Sequence, residues 1–471
     1  MAKNIFKILF KTLLVIVIVI GAWVALTPVF RYDESNEGNQ FRNVPKDILD
    51  IIVLGSSHAQ YSMNPAVIYT ESGYYSYVLG SGCQPMSMSY HFLVEALKTQ
   101  SPEVVLLDVF TMMPSRSVCY ADGMYYKAAQ QMTGLNRIKA GLEVENDEKK
   151  LEYAFDLLMN HGKWKQDDFL VNPDDSEYNE MLGYVAQQPV ERKFNHLIPF
   201  ERGNTEIIFR ENDLEALDKI IALCEKNNIK LILFKAAIDI DQENYDHLQA
   251  IWDLADEKGI EHVDFLALAE EIGFTLGMDG DTWHNNTWGA QKCSKYMAHY
   301  LQDKGYVTKH QENDAYAKLL NELSAITSAA LFDQNVDVYQ LLDYASKYDM
   351  TIVVKYTGAT NTTIGDYENQ LLQAAGINFD FLANKTQNYH AVIVNKEVIA
   401  SSDQPISTNA NGTDIQVTQD KITIGTQTFE NLGELEIIFC GNDFSWYNEM
   451  PINYASRFFW KNGCDGWNCE G

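Results

Sequence analysis

Basic residues are too few to balance the acidic ones: 36 Lys and Arg stand against 65 Asp and Glu in 471 residues, a formal net charge of −29. Such a field repels phosphate backbones, so no nucleic-acid partner is expected. The seven cysteines form no C-x-x-C pair and are not interleaved with histidines, which argues against a zinc site. Neither a metal nor another cofactor is expected. Their odd number leaves at least one thiol unpaired. Cys464 and Cys469 either close a small disulfide loop in an exported chain or stay free. Internal repeats and low-complexity tracts are absent. Beyond the N-terminus no run is long and apolar enough to cross a bilayer.

The N-terminus does hold such a run. Lys3, Lys7 and Lys11 precede "TLLVIVIVIGAWVALTPVF", Thr12 to Phe30, which carries no charge. Nineteen residues at about 1.5 Å each give about 28 Å, close to the hydrocarbon thickness of a membrane. Lysines before the run and Asp33, Glu34 and Glu37 after it place residues 1–11 in the cytoplasm and the bulk of the chain outside. A cleaved signal peptide has a similar charge pattern, but this run is long and ends without a clean small-x-small pair. It reads as a single-pass anchor over 12–30 in the cell membrane, followed by a polar stalk over 31–45.

From residue 46 the chain alternates between apolar strand-like runs and amphipathic helical segments. "DIIVL" (50–54), "YYSYVLG" (74–80), "PEVVLLDVF" (102–110), "IKLILFKAA" (229–237) and "IEHVDFLAL" (260–268) read as strands. Their continuous Val, Ile and Leu content suits a parallel sheet covered on both faces. The helices between them predict an α/β, doubly wound domain over 46–308. Residues from about 113 to 210 break the rhythm as an insertion. It contains one amphipathic helix, "DEKKLEYAFDLLMNHGKW" (147–164), and polar connections such as "NPDDSEYNE". A linker helix over 309–334 leads to a smaller α/β or α+β domain over 335–471. That domain includes a helix "VYQLLDYASKY" and a hairpin turning at Asn395–Lys396. It shows no catalytic constellation and only faintly resembles a small module found beside extracellular carbohydrate-active domains.

Two stretches carry chemistry. "DIIVLGSSHAQYSMNP" ends an apolar strand at Gly55 and presents Ser56, Ser57 and His58. Ligands of doubly wound sheets bind at such strand ends. A serine there is ordinarily a turn or cap residue. It becomes a nucleophile only if a base takes its proton and a third group holds that base. "MDGDTWHNNTWGAQKCSKYMAHYL" offers both, with Asp281 three residues before His284 in a loop that opens a helix. Loop solvation is the alternative reading of either Asp281 or its neighbour Asp279, and the following Gly289-Ala290 favours Asp281 as the partner. The remaining histidines lack metal-ligand spacing, and glycosylation at Asn285 is improbable because it overlaps the proposed site.

These blocks resemble the SGNH, or GDSL-type, hydrolase superfamily of esterases and acyltransferases. Gly55-Ser56-Ser57 matches its Gly-Asp-Ser block, with Ser56 in place of Asp. Asp281, His284, Asn286, Gly289 and Ala290 match its last block. The resemblance implies Ser57 as nucleophile, His284 as general base, Asp281 as its orienting carboxylate, and an oxyanion hole made by Ser57 and a glycine of "VLGSGCQPMSMSY". That glycine is Gly80 or Gly82, with Gly82 preferred. The third-block Asn has no match after "VVLLDVF", where Asp108 and then Thr111 stand. His58, Asp108 and His161 are further candidates for substrate contact.

The chain is also similar to the membrane-anchored branch that includes the D-alanine transfer protein of lipoteichoic acid and the alginate O-acetylation proteins. "MNHGKW" (His161, Trp164) fits the His-x-x-Trp element of that branch loosely. The likeness implies acyl-ester chemistry on an envelope glycan or polymer, with a membrane-embedded acyl donor protein as possible partner. The other expectation is a non-catalytic glycan-binding or assembly factor that keeps the fold.

Overall fold

The structure is a computed structural model. It describes residues 2–30, 40–113, 121–146, 148–165, 181–186, 201–274, 279–280, 283–331, 341–342, 345–346, 349–358, 364, 366–430, 434–444 and 447–452. Most of the expected stalk, Asp281, Cys464, Cys469, "NPDDSEYNE" and most of "VYQLLDYASKY" lie outside these residues.

The chain divides into two compact units, the first ending at Ser324 and the second beginning at Ala325. The first opens with α1 (Ala2–Phe30). Its stretch Ile5–Trp23 is long and apolar enough to span a membrane, and none of it is buried by the protein.

Strands β1 (Ile51–Gly55), β2 (Ser76–Gly80), β3 (Val104–Asp108), β4 (Lys230–Lys235) and β5 (Glu261–Asp264) form one parallel sheet in the order β2-β1-β3-β4-β5. Successive side chains on a strand face opposite ways, so two covered faces demand apolar residues at every position. Ile52, Leu54, Val105, Leu107, Leu231 and Leu233 meet one helical layer that includes Phe92 and Leu217. Ile51, Val53, Val104, Leu106, Ile232 and Phe234 meet the other, which includes Met297 and Leu301. Phe92 belongs to Met86–Ala96, Leu217 to Glu211–Asn227, and both Met297 and Leu301 to Thr287–Lys304.

Some strands are shorter than their apolar runs. β5 stops at Asp264 because its carboxylate accepts from the Leu266 and Ala267 amides, which turns the chain. In the insertion, residues 148–164 form two short helices and a 3-10 turn, where one long helix was expected. The helices are Lys150–Ala154 and Asp156–Met159. Phe155 between them is extended. Arg137 explains the break: its guanidinium donates to the Tyr153 carbonyl at 2.6 Å and to Asp156 Oδ1 at 2.6 Å, in a buried site. The carbonyl is thereby satisfied from outside the helix.

Helix Asp314–Leu331 starts within the first unit. Tyr316 and Leu320 are buried in its core, and the Tyr316 hydroxyl donates to the Ser76 carbonyl at 2.8 Å. The second unit is antiparallel throughout its described strands. A five-stranded sheet has Thr351–Thr357 at its centre, with Leu435–Cys440 and Asn388–Val394 on either side. A four-stranded meander runs from Ile406 to Glu430. Val353, Val392 and Ile438 share a core with Ile415 and Ile424 of the meander. The hairpin turns at Asn395 and Lys396, both at positive φ, the geometry that follows the twist of its strands.

Glu261 ties β5 to its surroundings. Burial opposes its ionisation, but Lys230, Tyr306 and Tyr300 all donate to it and hold its carboxyl at about 2. A depressed carboxyl contributes stability that is present above its unfolded value and lost as pH falls. Acid denaturation followed by circular dichroism should therefore steepen between pH 4.5 and about 2, and Glu261→Gln should flatten that limb. An unchanged acid limb in the variant would contradict this role.

Candidate active site

The strand order reverses between β1 and its neighbours β2 and β3, and the crevice beyond the carboxyl ends at such a point is where these sheets hold ligands. Gly55 ends β1 with φ +147°, and a Cβ there would lie 2.5 Å from Asp108 Cβ, so glycine lets the two strand ends meet. Ser56 follows as the N-cap of α2 (Ser57–Ser62), its hydroxyl accepting from the His58 amide at 3.2 Å.

Asp108 fixes this turn. Its Oδ2 accepts from the Ser56 hydroxyl at 2.7 Å and the Ser56 amide at 3.3 Å, while Oδ1 accepts from the Phe110 amide at 3.1 Å. Burial pushes its carboxyl above the usual range, against the opposing pull of the Lys235 cation and these donors. Lys235 is itself buried, donating to the Ala236 carbonyl at 2.7 Å, with Nζ 5.5 Å from the Phe110 ring centre. A carboxylate from the end of β3 thus anchors the Gly55-Ser56-Ser57 turn. Asp108 is enclosed beneath the turn, and its hydrogen bonds go to Ser56 and Phe110.

Ser57 begins α2, and its Oγ lies 2.8 Å from His284 Nε2. The two groups meet although 227 positions separate them. With the proton on Nδ1, Nε2 accepts from the serine hydroxyl, the arrangement general-base activation requires. Tyr61 flanks the imidazole, with ring centres 4.5 Å apart.

The loop bearing His284 is anchored on both sides. Asn286 caps α11 (Thr287–Lys304; helices α3–α10 being Pro65–Ser72, Met86–Ala96, Asp122–Gln130, Gly134–Gly141, Lys150–Ala154, Asp156–Met159, Glu211–Asn227 and Gln242–Glu257), its Oδ1 accepting from the Trp288 and Gly289 amides. Gly289 is demanded by packing, because a Cβ there would lie 2.1 Å from the Asp279 carbonyl. Asp279 is no loop-solvating residue. It is buried and paired with Lys292, Oδ2 to Nζ 2.6 Å, and Lys292 also donates to the Gly273 carbonyl at 2.8 Å. Asp281 lies outside the described residues.

The other sequence candidates fall in different places. Gly82 sits in the turn after β2, which is joined to the end of β1 by the Ser81 amide and Gly55 carbonyl at 3.3 Å. A Cβ at Gly82 would meet nothing within 4 Å, whereas one at Gly80 would press on Gln60 and the Gly55 carbonyl. His58 is buried and stacks on Phe110, ring centres 3.3 Å apart, instead of facing solvent. Its ring centre is 5.2 Å from that of His284. His161 is exposed in the turn after α8, Nδ1 2.8 Å from the Leu158 carbonyl. Ser56, Asp108, Lys235 and the Asp279–Lys292 pair were not legible as a unit in sequence. The only available signal was that Asp108 and Lys235 are charged residues at the ends of apolar runs.

No family model matches this chain, and no curated protein is significantly similar to it.

Asp108→Ala leaves the Ser56 hydroxyl, the Ser56 amide and the Phe110 amide short of an acceptor, each costing about 1–3 kcal/mol if it stays buried. Chemical denaturation should show a marked loss of stability for Asp108→Ala and a smaller one for Asp108→Asn, which keeps one oxygen acceptor. Wild-type stability in the alanine variant would remove Asp108 from this role.

Proposed function

We propose that the chain is a membrane-anchored serine esterase or O-acyltransferase of the SGNH type, acting on acyl esters of an envelope glycan or polymer. The observation that carries this reading is the 2.8 Å separation of Ser57 Oγ and His284 Nε2 at the carboxyl edge of a parallel sheet. Ser57 attacks the acyl carbonyl as His284 takes its proton. A tetrahedral oxyanion forms and is held by the amides of Ser57 and Gly82. Its collapse expels the alcohol, which takes the proton back from His284 and leaves an acyl-enzyme. Water then gives hydrolysis, and a sugar or polyol hydroxyl gives transfer. Asp281 is assigned the orienting role on imidazole Nδ1.

Anchoring favours an acceptor in the envelope and, for transfer, a membrane-embedded acyl donor as partner. α1 supports this placement by its length and apolar composition. Its lysine-rich start assigns the N-terminus to the cytoplasm and the remainder to the outside of a cell membrane. The surplus of negative charge argues against nucleic acid as a substrate.

The buried Asp108 favours a second reading, a glycan-binding assembly factor without turnover. Asp108 occupies the end of β3 with a charge-bearing acceptor, where the superfamily pattern would supply an Asn donor to the oxyanion. Losing one such donor costs about 3–4 kcal/mol of transition-state stabilisation.

Kinetics on short-chain aryl esters and acetylated glycans separate the two. The catalytic reading predicts turnover by the detergent-solubilised full chain. Ser57→Ala and His284→Ala should each lower kcat by about 10⁴-fold or more, with non-additive losses in the double variant. No turnover by the wild type, or full turnover by Ser57→Ala, would favour the assembly factor.

A further inference from the structure

Among the described residues, the insertion carries most of the large apolar side chains exposed outside α1. Leu135 is 76% exposed, Leu151 63% and Trp164 58%, and Leu158 and Met159 lie beside them in sequence on α8. These residues belong to α6, α7, α8 and the 3-10 turn that follows. Contiguous exposed apolar surface marks an interaction site, and Leu135 shares such a surface with Ile138 and Phe155.

This surface is continuous with α1. Trp23 packs edge-to-face on Phe155, ring centres 5.3 Å apart, and α1 rests against α8. Between them lies a cleft of about 710 Å³ whose apolar lining includes Val19, Ile20, Trp23, Leu135, Ile138 and Phe155. The polar groups at the cleft, Arg137 and Asp156, are bonded to each other, with Arg137 also on the Tyr153 carbonyl. The lining therefore offers hydrocarbon and little else.

The position on α1 identifies the occupant. Val19 to Trp23 is the C-terminal turn of the apolar stretch Ile5–Trp23 and lies seven residues, about 10 Å, inside the outer end of the anchor read over 12–30. The medium that surrounds α1 at that level also surrounds Leu135, and around a spanning helix it is lipid. Interfacial elements sink about 5–10 Å into the headgroup and acyl boundary, with tryptophan at the headgroup level.

We propose that α6 to α8 form a membrane-inserted surface, dipping into the outer leaflet beside α1, with lipid acyl chains filling the cleft. This deepens the anchored reading and rests on α1 spanning the bilayer. A single span leaves a domain free to swivel on its stalk, whereas a second apolar contact fixes one side of the domain on the membrane.

The test uses the full chain in lipid nanodiscs, with a bimane fluorophore on Leu135→Cys or, as control, on the exposed Ile399→Cys of the second unit. Labelling of the unsubstituted chain corrects for native cysteines. Phospholipids brominated along their acyl chains should quench the Leu135→Cys label several-fold more than the control. Equal quenching of the two labels overturns the proposal. Carbonate extraction of native membranes is read in parallel. A chain that resists extraction while its labels quench equally loses the inserted surface and keeps the anchor. A chain released by carbonate loses both.

Discussion

The hydrogen bond between Ser57 Oγ and His284 Nε2 joins two segments that arrive by independent routes, and everything proposed about chemistry rests on it. On the serine side, parallel pairing of β1 with β3 brings Gly55 and Asp108 to the same sheet edge, and Asp108 then holds Ser56 by hydroxyl and amide. On the histidine side, the Asn286 cap and the Asp279–Lys292 pair hold the loop to the head of α11. Each tether is buried, so its polar atoms exchange poorly with water and keep one arrangement. A serine and an imidazole on rigid supports start close to the geometry that proton transfer needs.

Much of the first unit could be read from its sequence. Apolar runs of five or six residues separated by amphipathic segments leave few alternatives to a parallel sheet covered on both faces, and the serine after Gly55 falls at a strand end in any such arrangement. The pairing of Ser57 with a histidine more than two hundred positions away came from motif resemblance, because no local rule reaches so far. The break at Phe155 has no local sequence signal because its cause, Arg137, comes from another helix. Periodicity along 148–164 carries no trace of a guanidinium that takes the Tyr153 carbonyl.

The acidic residues show the same limit more sharply. Asp108 reads as the polar end of a strand, yet its partner Ser56 is fifty-two positions away and is reached only through strand pairing. Asp279 looks like solvated loop, and its burial against Lys292 becomes visible only once α11 packs on the sheet. In the second unit the Asn395–Lys396 turn was legible, since it depends on two adjacent residues. The antiparallel order around Thr351–Thr357 was not, since it depends on pairings across the whole unit.

A fluorophosphonate probe should form a covalent bond with Ser57 Oγ, and His284 should speed this step. Mass-spectrometric mapping of the adduct, with labelling rates for wild type and His284→Ala, is the most direct measurement. The predicted result is one modified serine at position 57 and a labelling rate that falls by orders of magnitude in the variant. An unlabelled Ser57, or a rate indifferent to His284, would contradict it.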